Sequence, residues 1–126
     1  RYSGAITSKP SFKREVISAF KMRFAWFKDV KVKVGTAGQD DVRRLRAFRR
    51  ILGPRARIRI DANEAWSPGE AAERILALEP NRIVAVEQPV SHENFDGLPG
   101  IRRLVHTPIM LDESLCSRAD AERALE

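Results

Sequence analysis

Four stretches of this chain follow one pattern, and that pattern leaves few folds open. Val30-Lys31-Val32-Lys33-Val34-Gly35, Arg57-Ile58-Arg59-Ile60-Asp61-Ala62-Asn63, Ile83-Val84-Ala85-Val86-Glu87-Gln88-Pro89 and Ile109-Met110-Leu111-Asp112-Glu113-Ser114 are apolar runs that end in ionisable or amide side chains. Lys33 to Asp61 is 28 positions, Asp61 to Glu87 is 26 and Glu87 to Asp112 is 25. An interval of that length holds one strand, one helix and two loops, so it predicts successive βα units whose strands lie parallel in one sheet. Alternate side chains of a strand point to opposite faces; Ile58 and Ile60 therefore share one face, and Arg59, Asp61 and Asn63 the other. The polar groups are expected at the same end of neighbouring strands.

The segments between these strands carry helix signals. A short first strand is expected within Arg1 to Thr7, with Thr7 and Ser8 at its exit. The first helix then runs from near Ser11 to about Phe27, with Val16, Ile17, Phe20, Phe24 and Phe27 at helical spacing as its apolar side. Asp40 or Asp41 caps the second helix, whose buried stripe is Val42, Leu45, Phe48 and Leu52 and which Gly53-Pro54 stops. Ser67-Pro68-Gly69-Glu70 reads as a capping box for a third helix ending near Leu78, with Pro80 beyond it. A polar loop from Val90 to Asp96 precedes a short helix around Leu98 to Val105, and Ser117 caps a fifth that reaches Glu126. No linker divides residues 1–126. The predicted class is α/β: a partial (β/α) TIM-type barrel, about five βα units of a modified eight-stranded one, because the units are even in length and functional residue types stand at several consecutive strand ends. Five units of eight read as part of a larger enzyme, with a capping domain and the last barrel strands absent from the chain. Its open edges favour a homo-oligomer.

Composition narrows the function. The net charge of +6 and the cluster Arg43, Arg44, Arg46, Arg49, Arg50, Arg55, Arg57 and Arg59 raise nucleic-acid binding. Most of that cluster maps to the solvent side of the second helix without an aromatic platform, which argues against it. No apolar run approaches the roughly 20 residues of a membrane span. A single Cys116 cannot form an intrachain disulfide, in keeping with a cytoplasmic setting. His92 and His106 read as surface residues.

Three carboxylates meeting at one rim would repel by about 4 kcal/mol per pair at 4 Å and an effective dielectric near 20. A divalent cation offsets this, and an all-oxygen set from Asp61, Glu87 and Asp112 suits Mg²⁺. Helix capping, or pairing with an arginine such as Arg59, would satisfy each carboxylate singly. Lys31 and Lys33 share the carboxylate face. Two such amines must be paired or have work to do: Lys33 either forms a salt bridge to Asp61 or Glu87, or serves as a base whose pKa a second amine and a cation pull down.

Lys31-Val32-Lys33, Asp61-Ala62-Asn63, Glu87-Gln88-Pro89 and Asp112-Glu113-Ser114, in this order and at these intervals, resemble the enolase superfamily, specifically its muconate-lactonizing-enzyme subgroup. The resemblance spans about Lys31 to Ser117. It implies Mg²⁺ held by Asp61, Glu87 and Asp112, with Lys33 moving the proton next to the carboxylate of a small substrate through an enediolate, Lys31 tuning it, and Arg59, Asn63, Gln88 and Glu113 in support. The reactions implied are racemisation or epimerisation, cycloisomerisation, or dehydration of the o-succinylbenzoate synthase type. The aspartate at 112 favours this subgroup over that of mandelate racemase. A second lysine is expected on a sixth strand, about 25 residues past Asp112 by the repeat length, and Trp26 stands near where relatives often carry glycine. The alternative is a non-catalytic half-barrel that self-associates.

Overall fold

The structure is a computed structural model that describes residues 3–7 and 11–125; Arg1, Tyr2, Ser8 and Glu126 of the expected elements lie outside them. Strands β1 (Gly4–Ile6), β2 (Asp29–Lys33), β3 (Arg57–Asp61), β4 (Ile83–Glu87) and β5 (Ile109–Met110) alternate with helices α1 (Phe12–Phe24), α2 (Asp41–Leu52), α3 (Pro68–Leu78), α4 (Leu98–Leu104) and α5 (Arg118–Arg123). The sheet is parallel with strand order β1-β2-β3-β4-β5. Strands laid down in sequence order without reversal are barrel topology; a doubly wound sheet would reverse at a switch point.

The core lies between the sheet and its helices. Val30, Val32, Ile58, Ile60 and Val86 are buried on that side, under Leu45, Phe48 and Leu52 of α2 and Ala71, Ile75 and Leu78 of α3. Burial of a side chain the size of Phe48 contributes roughly 3 kcal/mol. Asp40 caps α2, its carboxylate accepting from the Arg43 amide at 2.9 Å, and Gly53 ends that helix at φ 84°. At α3, the Glu70 carboxylate accepts from the Ser67 hydroxyl at 2.6 Å and its amide at 3.4 Å. Among the described residues, no helix is long and apolar enough to cross a membrane.

Helix α1 departs from expectation. It buries Glu15 and Ala19, with Met22 packed on the core, while Ile17, Phe20 and Phe24 are 53%, 46% and 77% exposed. Two stripes of this helix have helical spacing, and hydrophobicity alone selects the aromatic one. The ion pair that Glu15 makes with Arg44 of α2, and the seating of Met22 against Gly4, select the other: a Cβ at Gly4 would lie 2.1 Å from Met22 Sδ. The second helix shows a related difference, because two of its arginines turn inward. Arg44 is 5% exposed, and Arg49 donates to the carbonyls of Gly53, Ala56, Asn81 and Arg82.

Two features of the scaffold are testable. Trp26 follows α1 in the left-handed region at φ 58° with its side chain 81% exposed, a position where glycine avoids a Cβ clash. Trp26→Gly is expected to stabilise the fold by about 1 kcal/mol in urea unfolding. At the same N-terminal end of the strands, Glu79 ties the chain entering β5: its Oε1 accepts from the amides of His106 and Thr107 and from the Thr107 hydroxyl, and Oε2 faces His106 Nδ1. Burial works against its charge, but these donors outweigh it and hold the carboxyl below its ordinary value. A depressed carboxyl stabilises the fold above its unfolded pKa and ceases to do so as pH falls through its folded one. The stability deficit of Glu79→Gln should therefore be evident at neutral pH and shrink below the ordinary carboxylate range, as read by urea midpoints.

Candidate active site

The register sets Lys33, Asp61 and Glu87 side by side on β2, β3 and β4, with Lys31 beside Arg59 in the row below. All share the face turned away from the helices, and a cavity of about 410 Å³ lies below them toward the N-terminal ends of the strands, lined by Asp29, Lys31, Arg57, Arg59, Ala85 and Met110 among others. Asp61 and Glu87 are 3% and 4% exposed. Lys31 Nζ bridges them, 2.6 Å from Asp61 Oδ2 and 2.8 Å from Glu87 Oε1. Burial pulls the Lys31 pKa down, but the two carboxylates outweigh it and hold the amine above its ordinary value. The salt bridges foreseen for Lys33 are thus made by Lys31. Among the described residues, the Lys33 side chain makes no ion pair or hydrogen bond.

The third carboxylate stands apart. On β5 it is Met110 that aligns with Glu87, so Asp112 lies two residues farther along, past the end of the strand and exposed. Among the described residues, no three His, Cys, Asp or Glu side chains are gathered closely enough to hold a metal ion. Equal spacing in sequence did not translate into equal height, because β5 pairs over only two residues and the chain then turns toward Gln88.

Gln88, fully buried at φ 39°, uses its whole amide in that turn. Its Oε1 accepts from the amides of Asp112 and Ser114 at 3.0 and 3.1 Å, and its Nε2 donates to the Val90 carbonyl and Ser114 Oγ at 2.8 and 2.6 Å. Asn63 performs a similar join: its amide donates to Asp61 Oδ1 and its Nδ2 to Glu113 Oε1, both at 3.0 Å. Asn63, Glu64 and Gln88 all sit at positive φ at strand exits, the kind of backbone strain that collects at functional sites. Only the asparagine hints at this in the sequence.

Arg59 Nε approaches Glu87 Oε2 to 3.1 Å at an angle that makes no hydrogen bond, so both atoms are buried without one. Two buried carboxylates on adjacent strands, bridged by Lys31 and with Arg59 close to Glu87, keep one Glu87 oxygen without a hydrogen bond, a donor set that suits a hard divalent cation with water or substrate oxygens in its other positions. Asp61 and Glu87 are the residues that could supply such donors. His92 and His106 are exposed and paired with Glu64 and Glu79. Glu15 gave no signal in the sequence, Asp41 only that of a candidate cap and Arg44 only membership of a basic cluster, yet the three form an ion-pair cluster behind the end of β2 with Glu15 and Arg44 buried.

Five consecutive parallel βα units in sequence order, with acid and amine side chains at the C-terminal ends of their strands, are part of a barrel-type α/β fold. Residues 13–126 match the family model described as enolase C-terminal domain-like, and the chain belongs to that family. The D-Ala-D/L-Ala epimerase of Cytophaga hutchinsonii is 44% identical over 100 residues, 79% of this chain and 27% of that protein. The L-Ala-D/L-Glu epimerase of Clostridium acetobutylicum is 36% identical over 124 residues, 97% of this chain and 34% of that protein. Cytophaga hutchinsonii dipeptide epimerase, solved with Mg and the dipeptide D-Ala-L-Val, superimposes with a TM-score of 0.91 at 37% identity, covering 99% of this chain and 34% of that one. The chain thus spans about a third of the length of these relatives, and further relatives include muconate cycloisomerases and an o-succinylbenzoate synthase.

Proposed function

We propose that this chain carries the metal-binding and proton-abstracting residues of a Mg²⁺-dependent enzyme that removes the proton α to a substrate carboxylate, and that its substrates are dipeptides epimerised at that carbon. One arrangement supports the reading above all: Lys31 bridges two buried carboxylates while Lys33, beside Asp61 on the same face, has no side-chain partner among the described residues. Asp61 and Glu87 would hold the ion, joined on the family resemblance by Asp112. When bound, Mg²⁺ supplies positive charge at the substrate carboxylate and makes the neighbouring C–H more acidic. Lys33, as a neutral amine, takes that proton onto Nζ. Lys31 remains an ammonium, held so by both carboxylates against the pull of its burial. Inversion is completed by a proton returned from the opposite face, the role the resemblance gives to a lysine on a sixth strand. The dipeptide assignment is supported by the names of the relatives above.

The test is hydrogen exchange of the substrate. With the complete gene product in D₂O and Mg²⁺, dipeptides of small residues are expected to gain deuterium at the carbon next to the carboxylate and to accumulate the opposite epimer, and to do neither after chelation. Exchange only on other carboxylates would end the dipeptide assignment; exchange on none would end the proposal. A second reading, the self-associating half-barrel, draws support from the exposed Ile17, Phe20, Phe24 and Trp26. A compact dimer or trimer in light scattering, with no thermal response to Mg²⁺, would favour it.

A further inference from the structure

We propose that the buried cluster of Glu15, Arg44 and Asp41 holds Lys33 in position for proton transfer, with Arg44 and Asp41 as positioning residues; this rests on the reading of Lys33 as the base. The Lys33 side chain has no partner among the described residues, so the direction of its Cα–Cβ bond is set through the backbone. That backbone is gripped from the helix side. Arg44 donates from Nη2 to the Lys33 carbonyl at 3.2 Å, and Asp41 Oδ2 accepts from the Gly35 amide at 2.7 Å. Between them, the Val34 amide donates to the Asp61 carbonyl at 2.8 Å.

The two clamps are joined to each other and to α1. Arg44 Nη1 donates to Asp41 Oδ1 at 2.5 Å, and Nε and Nη2 donate to the two carboxylate oxygens of Glu15 at 2.9 and 3.1 Å. Glu15 and Arg44 are 1% and 5% exposed. A buried ion pair is a poor source of stability, since apolar residues of similar size replace it at little or no loss. What apolar residues could not supply is a donor for the Lys33 carbonyl and a fixed acceptor for the Gly35 amide. The chain also turns sharply there: Gly35 is at φ 79°, and a Cβ on it would lie 2.5 Å from the Ala65 Cβ. Loss of the clamp therefore leaves the peptide units around Lys33 free to reorient, and a displacement near 1 Å at a reacting group can cost about 100-fold in rate.

The decisive variant is Glu15→Leu/Arg44→Met in the complete gene product, which removes both charges of the buried pair together and leaves Asp41, at the edge of the cluster, with the Gly35 amide. The thermal midpoint should not fall. With a dipeptide and Mg²⁺, kcat for α-proton exchange should drop about 100-fold, and the α-deuterium isotope effect on kcat should rise as proton abstraction becomes limiting. Loss of folded protein alone lowers kcat without moving the isotope effect. Backbone amide exchange should accelerate at Val34 and Gly35 and stay unchanged at Ile58 and Ile60. Asp41→Ala, which keeps the Glu15–Arg44 pair, should show the same changes in smaller measure and decides the matter should the double variant not fold. Wild-type values of kcat, isotope effect and local amide exchange in a folded variant would overturn the proposal. Lys33→Ala is run alongside: full activity in that variant would refute the base assignment, while the amide exchange would still report whether the cluster holds the end of β2.

Discussion

Lys33→Ala is expected to slow α-proton exchange by about 10³-fold, within the range removed with a general base, while thermal stability and Mg²⁺ affinity stay near wild type. The asymmetry follows from its surroundings. Lys33 stands in the same row as Asp61, but its side chain has no partner among the described residues, so truncation breaks no ion pair and leaves no buried group unsatisfied. Steady-state exchange in D₂O and a thermal melt on the same sample give the two halves of the result. A melt lowered by many degrees would mean that Lys33 is structural, and undiminished exchange would mean that the base lies elsewhere.

Lys31→Met should do the reverse. Removing the ammonium takes away the charge that bridges Asp61 and Glu87, 3% and 4% exposed, and leaves Arg59, 3.1 Å from Glu87, as the cation beside them among the described residues. Breaking a fully buried pair in this way costs 3–5 kcal/mol, and because the Lys31 side chain is 30% exposed the expected loss is about 2 kcal/mol. Mg²⁺ is expected to restore it, since a ligand at a hundredfold excess over its Kd adds about 2.7 kcal/mol to the state that binds it. Urea unfolding of wild type and variant, with Mg²⁺ and with chelator, measures both terms. A variant destabilised equally in the two conditions would show that these carboxylates do not hold the ion. A variant as stable as wild type in chelator would show that the bridge contributes nothing.

Much of the scaffold was legible because it is written locally. The alternation at Val30 to Val34 and Arg57 to Asp61, the Asp40 cap, the Gly53 stop and the reciprocal contacts of Ser67 and Glu70 each depend on neighbours within a few residues, and they recur as expected. The face buried by α1 was not legible. Its aromatic stripe is the more apolar, yet the partner that orients the helix is an arginine 29 positions away, which hydrophobic periodicity does not register.

The same division runs through the site. Alternation and interval alone determined that lysines and carboxylates would stand at the C-terminal ends of parallel strands on the face opposite the core, because both follow from backbone geometry and βα length. Only the tertiary structure decided which of them meet. Lys31 reaches up from the lower row to bridge Asp61 and Glu87, Lys33 has no side-chain partner among the described residues, Met110 takes the place in register where Asp112 was expected, and Gln88 carries Asp112 beyond the strand. Those outcomes depend on strand register, on the two-residue length of β5 and on the reach of long side chains, which are properties of neighbours brought together by folding and leave no periodic trace along the chain.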